Sequence, residues 1–134
     1  MLTEAQEAPQ AVAPQLAHNA DKYADFGTLL RLHNPSAVLT VARGSSDHAA
    51  HFLAYLVMAR MGRLVTSLPM SLITLYQSQI ACKGLVSLAF SQSGQSPDLV
   101  APTRFFTDGG AITAAFVNQP DSPLAHAAQW VFPL

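Results

Sequence analysis

The residues best suited to chemistry stand in one short stretch, Ser91-Gln92-Ser93-Gly94-Gln95-Ser96-Pro97-Asp98. Serine hydroxyls, amide side chains and a flexible glycine follow the apolar run Leu85 to Phe90 and precede a helix-like segment, so the stretch reads as a strand-to-helix loop. A helix N-terminus carries unpaired backbone N–H groups and the positive end of the helix dipole. Hydroxyls around it add hydrogen bonds to an anion such as phosphate. The loop has no lysine, and neither the Walker pattern G-x-x-x-x-G-K-[ST] nor the dinucleotide pattern G-x-G-x-x-G occurs in the chain. A serine-rich loop of this kind also serves as a plain connection with a helix cap, so it does not decide the function alone.

A second loop of the same type strengthens the anion reading. The β-type run Ala37 to Ala42 ends in Arg43-Gly44-Ser45-Ser46-Asp47-His48, ahead of the helical stretch Ala49 to Met61. If the two strands are neighbours in one parallel sheet, both loops lie at the carboxyl ends of strands, where ligands of open α/β sheets bind. The two loops would then close on a single phosphate.

With these residues the chain resembles the sugar isomerase (SIS) domain family of phosphosugar-binding proteins. The motifs that carry the likeness are Gly44-Ser45-Ser46 and Ser91-Gln92-Ser93-Gly94-Gln95-Ser96 at their spacing in an α/β pattern. Within the family the chain is similar to the two-domain glucosamine-6-phosphate deaminase and isomerase branch, related to the isomerase half of glutamine:fructose-6-phosphate amidotransferase. The opening Met1 to Gln10, the run Arg43 to Ala49 and Ser96-Pro97-Asp98 support that branch. The resemblance implies phosphate ligands at Ser45, Ser46, Ser91, Gln92, Ser93 and Ser96, with Gly44 and Gly94 as loop glycines. It also implies a hexose 6-phosphate such as glucosamine 6-phosphate or fructose 6-phosphate as ligand, no cofactor, and a second SIS domain or a homodimer as partner. Aldose to ketose conversion needs a carboxylate, histidine or lysine about 3 Å from the reacting carbons. In the family those groups lie largely in the second SIS domain and the C-terminal segment, so no catalytic residue is expected here.

Other chemistries are weaker. His48 and His51 share a helix face, but no cluster of Cys, Asp or Glu completes a metal site. Asp47 reads as a first-turn carboxylate that complements the helix dipole, with sugar contact the lesser role, and His48 as a capping or packing residue before a ligand. Arg43 meets either a phosphate or a surface acid. A serine-nucleophile elbow, G-x-S-x-G, is missing.

The elements that must hold these loops alternate along the chain. Strands are expected at Ala37 to Ala42, Leu64 to Ser67, Leu85 to Ser91, Ala111 to Val117 and Trp130 to Phe132. Between them come helices at Asp47 to Met61, Met70 to Ile80, Pro97 to Thr107 and Ser122 to Ala127. Such alternation predicts an α/β, flavodoxin-like three-layer sandwich around a five-stranded parallel sheet of order 2-1-3-4-5. Ahead of it, Thr3 to about Tyr23 is helix-prone, with Ala5, Val12, Leu16 and Ala20 on one face and Pro9 and Pro14 expected to interrupt it. A shorter helix from about Asp25 stops at Asn34-Pro35.

A chain of 134 residues, half of them hydrophobic, suffices for one domain with a real core. We therefore expect an N-terminal helical segment over 1–35 and an SIS domain over 36–134, the first half of a two-SIS-domain enzyme that ends early. A formal charge of -1 with 11% charged residues offers no footprint for nucleic acid or anionic membrane. No apolar run reaches the ~18 residues of a membrane span. The single Cys82 excludes an internal disulfide and points to the cytoplasm. The alternatives to half an enzyme are a phosphosugar-sensing module without turnover and a noncatalytic assembly remnant.

Overall fold

The computed structural model describes residues 2–134, the side chains of residues 2, 4 and 5 apart. A long helix α1 (Leu2–His33) leads into β1 (Ala37–Ala42), α2 (Ser45–Met61), β2 (Val65–Ser67), α3 (Ser71–Thr74), β3 (Leu85–Ser91), α4 (Pro97–Asp108), β4 (Ile112–Val117), α5 (Pro123–Ala127) and β5 (Trp130–Pro133). All neighbouring strands are parallel, in the order β2-β1-β3-β4-β5. The expected α/β sandwich and its strand order are therefore both present.

The strand sequences explain why helices cover both faces. AVLTVA, LVSLAFS and ITAAFV carry apolar residues at almost every position, as strands buried on two sides must. Alternate side chains divide between two cores. On one face Leu39, Val41, Ala89, Ala115 and Val117 pack with Leu99 and Phe106 of α4 and Leu124 of α5. On the other, Val38, Val86, Leu88, Ile112, Ala114 and Phe132 pack with Phe26 of α1 and Val57 of α2.

Three expectations are corrected. The N-terminal region is one helix, not two, and runs through Pro9 and Pro14. Each proline forfeits one hydrogen bond to the carbonyl four residues earlier, but both lie on the exposed side, where water replaces the lost partner. The buried face of α1 also differs from the apolar stripe in its sequence. Val12 and Leu16 are 45% and 54% exposed, Ala20 is exposed, and Ala5 falls outside the described side chains. The face that packs is Asn19, Tyr23 and Phe26, because Tyr23 stacks on Phe132 at 4.9 Å and Phe26 meets Trp130 and Phe132. Aromatic rings bury more area than alanine or valine, so they set the docking angle.

The third correction concerns the helix expected over Met70 to Ile80, which shrinks to the single turn α3. The N–H groups of Leu75 and Tyr76 both bond the carbonyl of Ser71, and Gln77 takes a positive φ of 49°. Leu75 and Tyr76 are largely exposed, so no packing supports a further turn.

Candidate functional site

The topology makes a crevice between β1 and β3. These strands pair directly, with Ala42 opposite Phe90. After β1 the chain crosses through α2 to β2 on one side, and after β3 it crosses through α4 to β4 on the other. The strand order thus reverses between β1 and β3, the place where open α/β sheets bind ligands. Residues 43–46 and 91–96 leave adjoining strand ends, so Ser45, Ser46, Gln92, Ser93 and Ser96 are brought to one rim.

Local backbone geometry shapes each loop. Gly44 precedes α2 at φ 59° and ψ −134°, a conformation almost confined to glycine, while nothing lies within 4 Å of where a β-carbon would stand. Its role is therefore conformational: its carbonyl takes the N–H of Asp47 and turns the chain into the helix. Gly94 is constrained twice. Its φ is 65°, and a β-carbon there would sit 2.1 Å from Ser122 Oγ. The loop is closed by Ser91, whose buried Oγ accepts the Gly94 N–H at 3.0 Å, and by Ser93, whose Oγ accepts the Gln95 N–H at 3.3 Å. Each hydroxyl used as an acceptor keeps its own proton for donation. Further ties fix the loop to its neighbours: Asn118 N–H donates to the Gln92 carbonyl, and Leu124 N–H to the Gly94 carbonyl.

The helix starts differ in a telling way. At α5 the Ser122 side chain caps the helix, with Oγ accepting from Ala125 N–H. At α2 and α4, the two helices that begin at the crevice, no side chain caps the N-terminus, Gly44 having none to offer, and the single turn α3 is uncapped as well. Ser96 stands at the N-cap position of α4 with an extended backbone, yet its hydroxyl does not close the helix. The first N–H groups of both helices thus keep unused donor capacity, and each N-terminus adds roughly half a positive charge. Such a rim is suited to an oxyanion.

Arg43 forms an ion pair with Asp98 in the first turn of α4, which ties one loop to the other. The two side chains line a cavity of about 390 Å³ together with Met70, Ser71, Thr74 and Leu75, a volume in the range of small-molecule sites. Asp47 takes the expected place in the first turn of α2. One carboxylate oxygen lies 3.5 Å from His51 Nδ1, while the other is buried without a hydrogen-bond partner. His48 is exposed beside it. Among the described residues no group of three metal-ligating side chains comes together, so His48 and His51 stand without further ligands.

Ser91 differs from the other proposed ligands. It is only 9% exposed and braces the loop from within, whereas Ser45, Gln92 and Ser93 face solvent. Of the two partners the sequence allowed Arg43, a phosphate or a surface acid, the structure pairs it with Asp98, whereas the Gly94–Ser122 contact and the Met70–Leu75 wall were not found from the sequence. A first-turn acid opposite a loop arginine was a visible signal for the tie; contacts between distant residues had none.

The SIS domain family model matches residues 31–133. The chain belongs to that family. Among solved structures it is 41% identical to a protein described as a phosphosugar isomerase from Silicibacter pomeroyi DSS-3, with a TM-score of 0.91, covering 95% of this chain and 39% of that one. It is 28% identical over 138 residues to a glutamine–fructose-6-phosphate aminotransferase of Bradyrhizobium diazoefficiens, which spans 99% of this chain and 22% of the relative. The Vibrio vulnificus NanR protein, solved with ManNAc-6P, shares the fold at a TM-score of 0.66 and 16% identity, over 98% of this chain and 52% of that one. The chain thus spans well under half the length of the Silicibacter isomerase and of the Bradyrhizobium aminotransferase. Among the described residues no helix is long and apolar enough to cross a membrane.

Proposed function

We propose that this SIS domain binds a hexose 6-phosphate at the crevice between β1 and β3. Its place would be the first SIS half of an isomerase or deaminase acting on amino-sugar phosphates. The observation that carries the proposal is the pair of uncapped helix N-termini, α2 and α4, opening on one crevice at the carboxyl ends of the neighbouring strands β1 and β3. In this reading the phosphate accepts from the N–H groups at Ser45 and Ser46 and at the start of α4. The hydroxyls of Ser45, Ser46, Ser93 and Ser96 and the amide of Gln92 complete the shell. Ser91 donates its hydroxyl proton inward from the loop base. The sugar extends toward the cavity walled by Met70, Thr74 and the Arg43–Asp98 pair.

The chemistry offered by these loops is that of a handle. Hydroxyl and N–H donors hold the phosphate, and binding energy from this remote group serves to position the carbons that react elsewhere. The phosphosugar named for the NanR structure and the fructose 6-phosphate in the aminotransferase's name support the ligand class. Proton transfer between C1 and C2, or loss of ammonia, would be performed with groups from the part of the longer relatives that this chain does not span.

Titration calorimetry with glucosamine 6-phosphate, fructose 6-phosphate and unphosphorylated glucosamine tests the proposal. Both phosphates should bind and glucosamine should give no measurable heat. Equal affinity for all three would sink it.

A further inference from the structure

A cluster of cationic side chains lies at the opposite end of the sheet. There the C-termini of α1 and α2 meet around a cavity of about 440 Å³, whose wall includes Arg31, Arg60 and Arg63, together with Asn34 and the apolar Leu30 and Met61. Three of the seven basic side chains in the chain converge here. Among the described residues no carboxylate pairs with any of them, whereas Arg43, at the other end, has Asp98. Helix C-termini attract cations, which is the ordinary reason for an arginine at such a place. Two helix ends, however, supply only about −0.5 charge each. Three guanidinium groups leave an excess of roughly two positive charges.

The surroundings hold these groups in place. Asn34 sits at φ 49°, where its N–H caps α1 by bonding the Leu30 carbonyl and its side-chain oxygen accepts a hydrogen bond from Arg63. Arg31 donates to Thr28 Oγ1 and lies beside Gly27, 3.5 Å from where a β-carbon would stand. A glycine inside a helix costs about 1 kcal/mol relative to alanine. Its effect at this position is to leave one wall of the cavity open. Guanidinium groups suit phosphate oxygens because their planar N–H forks match them.

We propose that this cavity binds a small anion carrying two linked phosphate groups, at a site separate from the crevice between β1 and β3. Calorimetry with inorganic pyrophosphate and with orthophosphate tests it on the 134-residue chain. Pyrophosphate should bind at least about tenfold more tightly than orthophosphate, and its affinity should fall steeply as salt is raised, since the groups are exposed. Arg60→Ala and Arg63→Ala should each weaken pyrophosphate binding about tenfold, the loss of one hydrogen bond to a charged group. Arg104→Ala, an exposed arginine on α4, should leave it unchanged. Melting temperatures of the arginine variants should stay near the parent's, and Arg60→Lys should recover part of the affinity if charge is what acts. The proposal falls if pyrophosphate and orthophosphate bind equally, or if Arg104→Ala costs as much as Arg60→Ala. It also falls if Ser93→Ala abolishes pyrophosphate binding while the arginine variants retain it.

Discussion

Replacing Gly94 by alanine should be among the most damaging single-methyl changes in this chain. Two costs add. Placing a non-glycine residue at φ 65° in the left-handed region costs about 1–2 kcal/mol. The new β-carbon would also lie 2.1 Å from Ser122 Oγ and 2.5 Å from Ser122 Cβ, far inside contact distance. Ser122 is 1% exposed, so it has little room to retreat, and overpacking of this kind costs about 1–3 kcal/mol. If Ser122 swings away, α5 loses its cap, for about 0.5–2 kcal/mol more. The sum, about 2.5–7 kcal/mol, is a large share of the 5–15 kcal/mol typical of a whole domain. Urea unfolding of Gly94→Ala measures it, and Ser122→Gly in the same chain isolates the steric part. Glycine is a tolerable N-cap, so the double variant should be more stable than Gly94→Ala alone, with a residual loss of about 2 kcal/mol from backbone strain. A loss under about 1 kcal/mol in Gly94→Ala, or a double variant less stable than the single, would refute this reasoning.

Other consequences are equally concrete. Gly44→Ala meets no atom within 4 Å, so its cost should be backbone strain alone, about 1–3 kcal/mol by urea unfolding, with no partner substitution able to rescue it. Ser93→Ala should weaken hexose 6-phosphate binding roughly 10- to 100-fold without unfolding the domain. Ser36→Ala, whose hydroxyl bonds the Gly84 carbonyl at the far end of the sheet, should change that affinity less than about twofold, and thermal shift with added ligand compares the two. Asn19→Leu should cost about 1–3 kcal/mol, because Asn19 Nδ2 donates to the Pro133 carbonyl at 2.9 Å and binds α1 to β5. Burial pushes the Cys82 thiol above its ordinary value of 9.0, so the folded state holds this proton more tightly than the unfolded chain. Its contribution to stability is whole below pH 9 and fades as pH rises through the folded value. Thiol-reagent labelling should be slow until urea is added, and the alkaline fall in melting temperature should be shallower in Cys82→Ala.

The sheet was legible because its strands are apolar runs closed by Gly44, Gly84, Gly94 and Gly110, all of which take positive φ in the structure. The two serine loops were legible for a similar reason: glycine and hydroxyl residues at a strand end constrain the backbone locally. The packing face of α1 was not. Val12 and Leu16 form a plausible apolar stripe, yet Tyr23 and Phe26 win because Phe132 and Trp130, over a hundred residues away along the chain, offer rings to stack on. The early end of α3 depended on missing neighbours for Leu75 and Tyr76, and the double role of Gly94 on Ser122 across the fold. Local chemistry could be read from spacing; choices made by distant partners could not.

Amide shift mapping of the 134-residue chain during titration with glucosamine 6-phosphate tests the proposed ligand site most directly. The backbone amides of Ser45, Ser46 and residues 92–96 should move together and saturate with one affinity, while Ser36 and the amides around Gly84, at the opposite end of the sheet, stay still. Saturable shifts confined to residues 27–36 and 60–63, with the two serine loops silent, would contradict a phosphosugar site between β1 and β3.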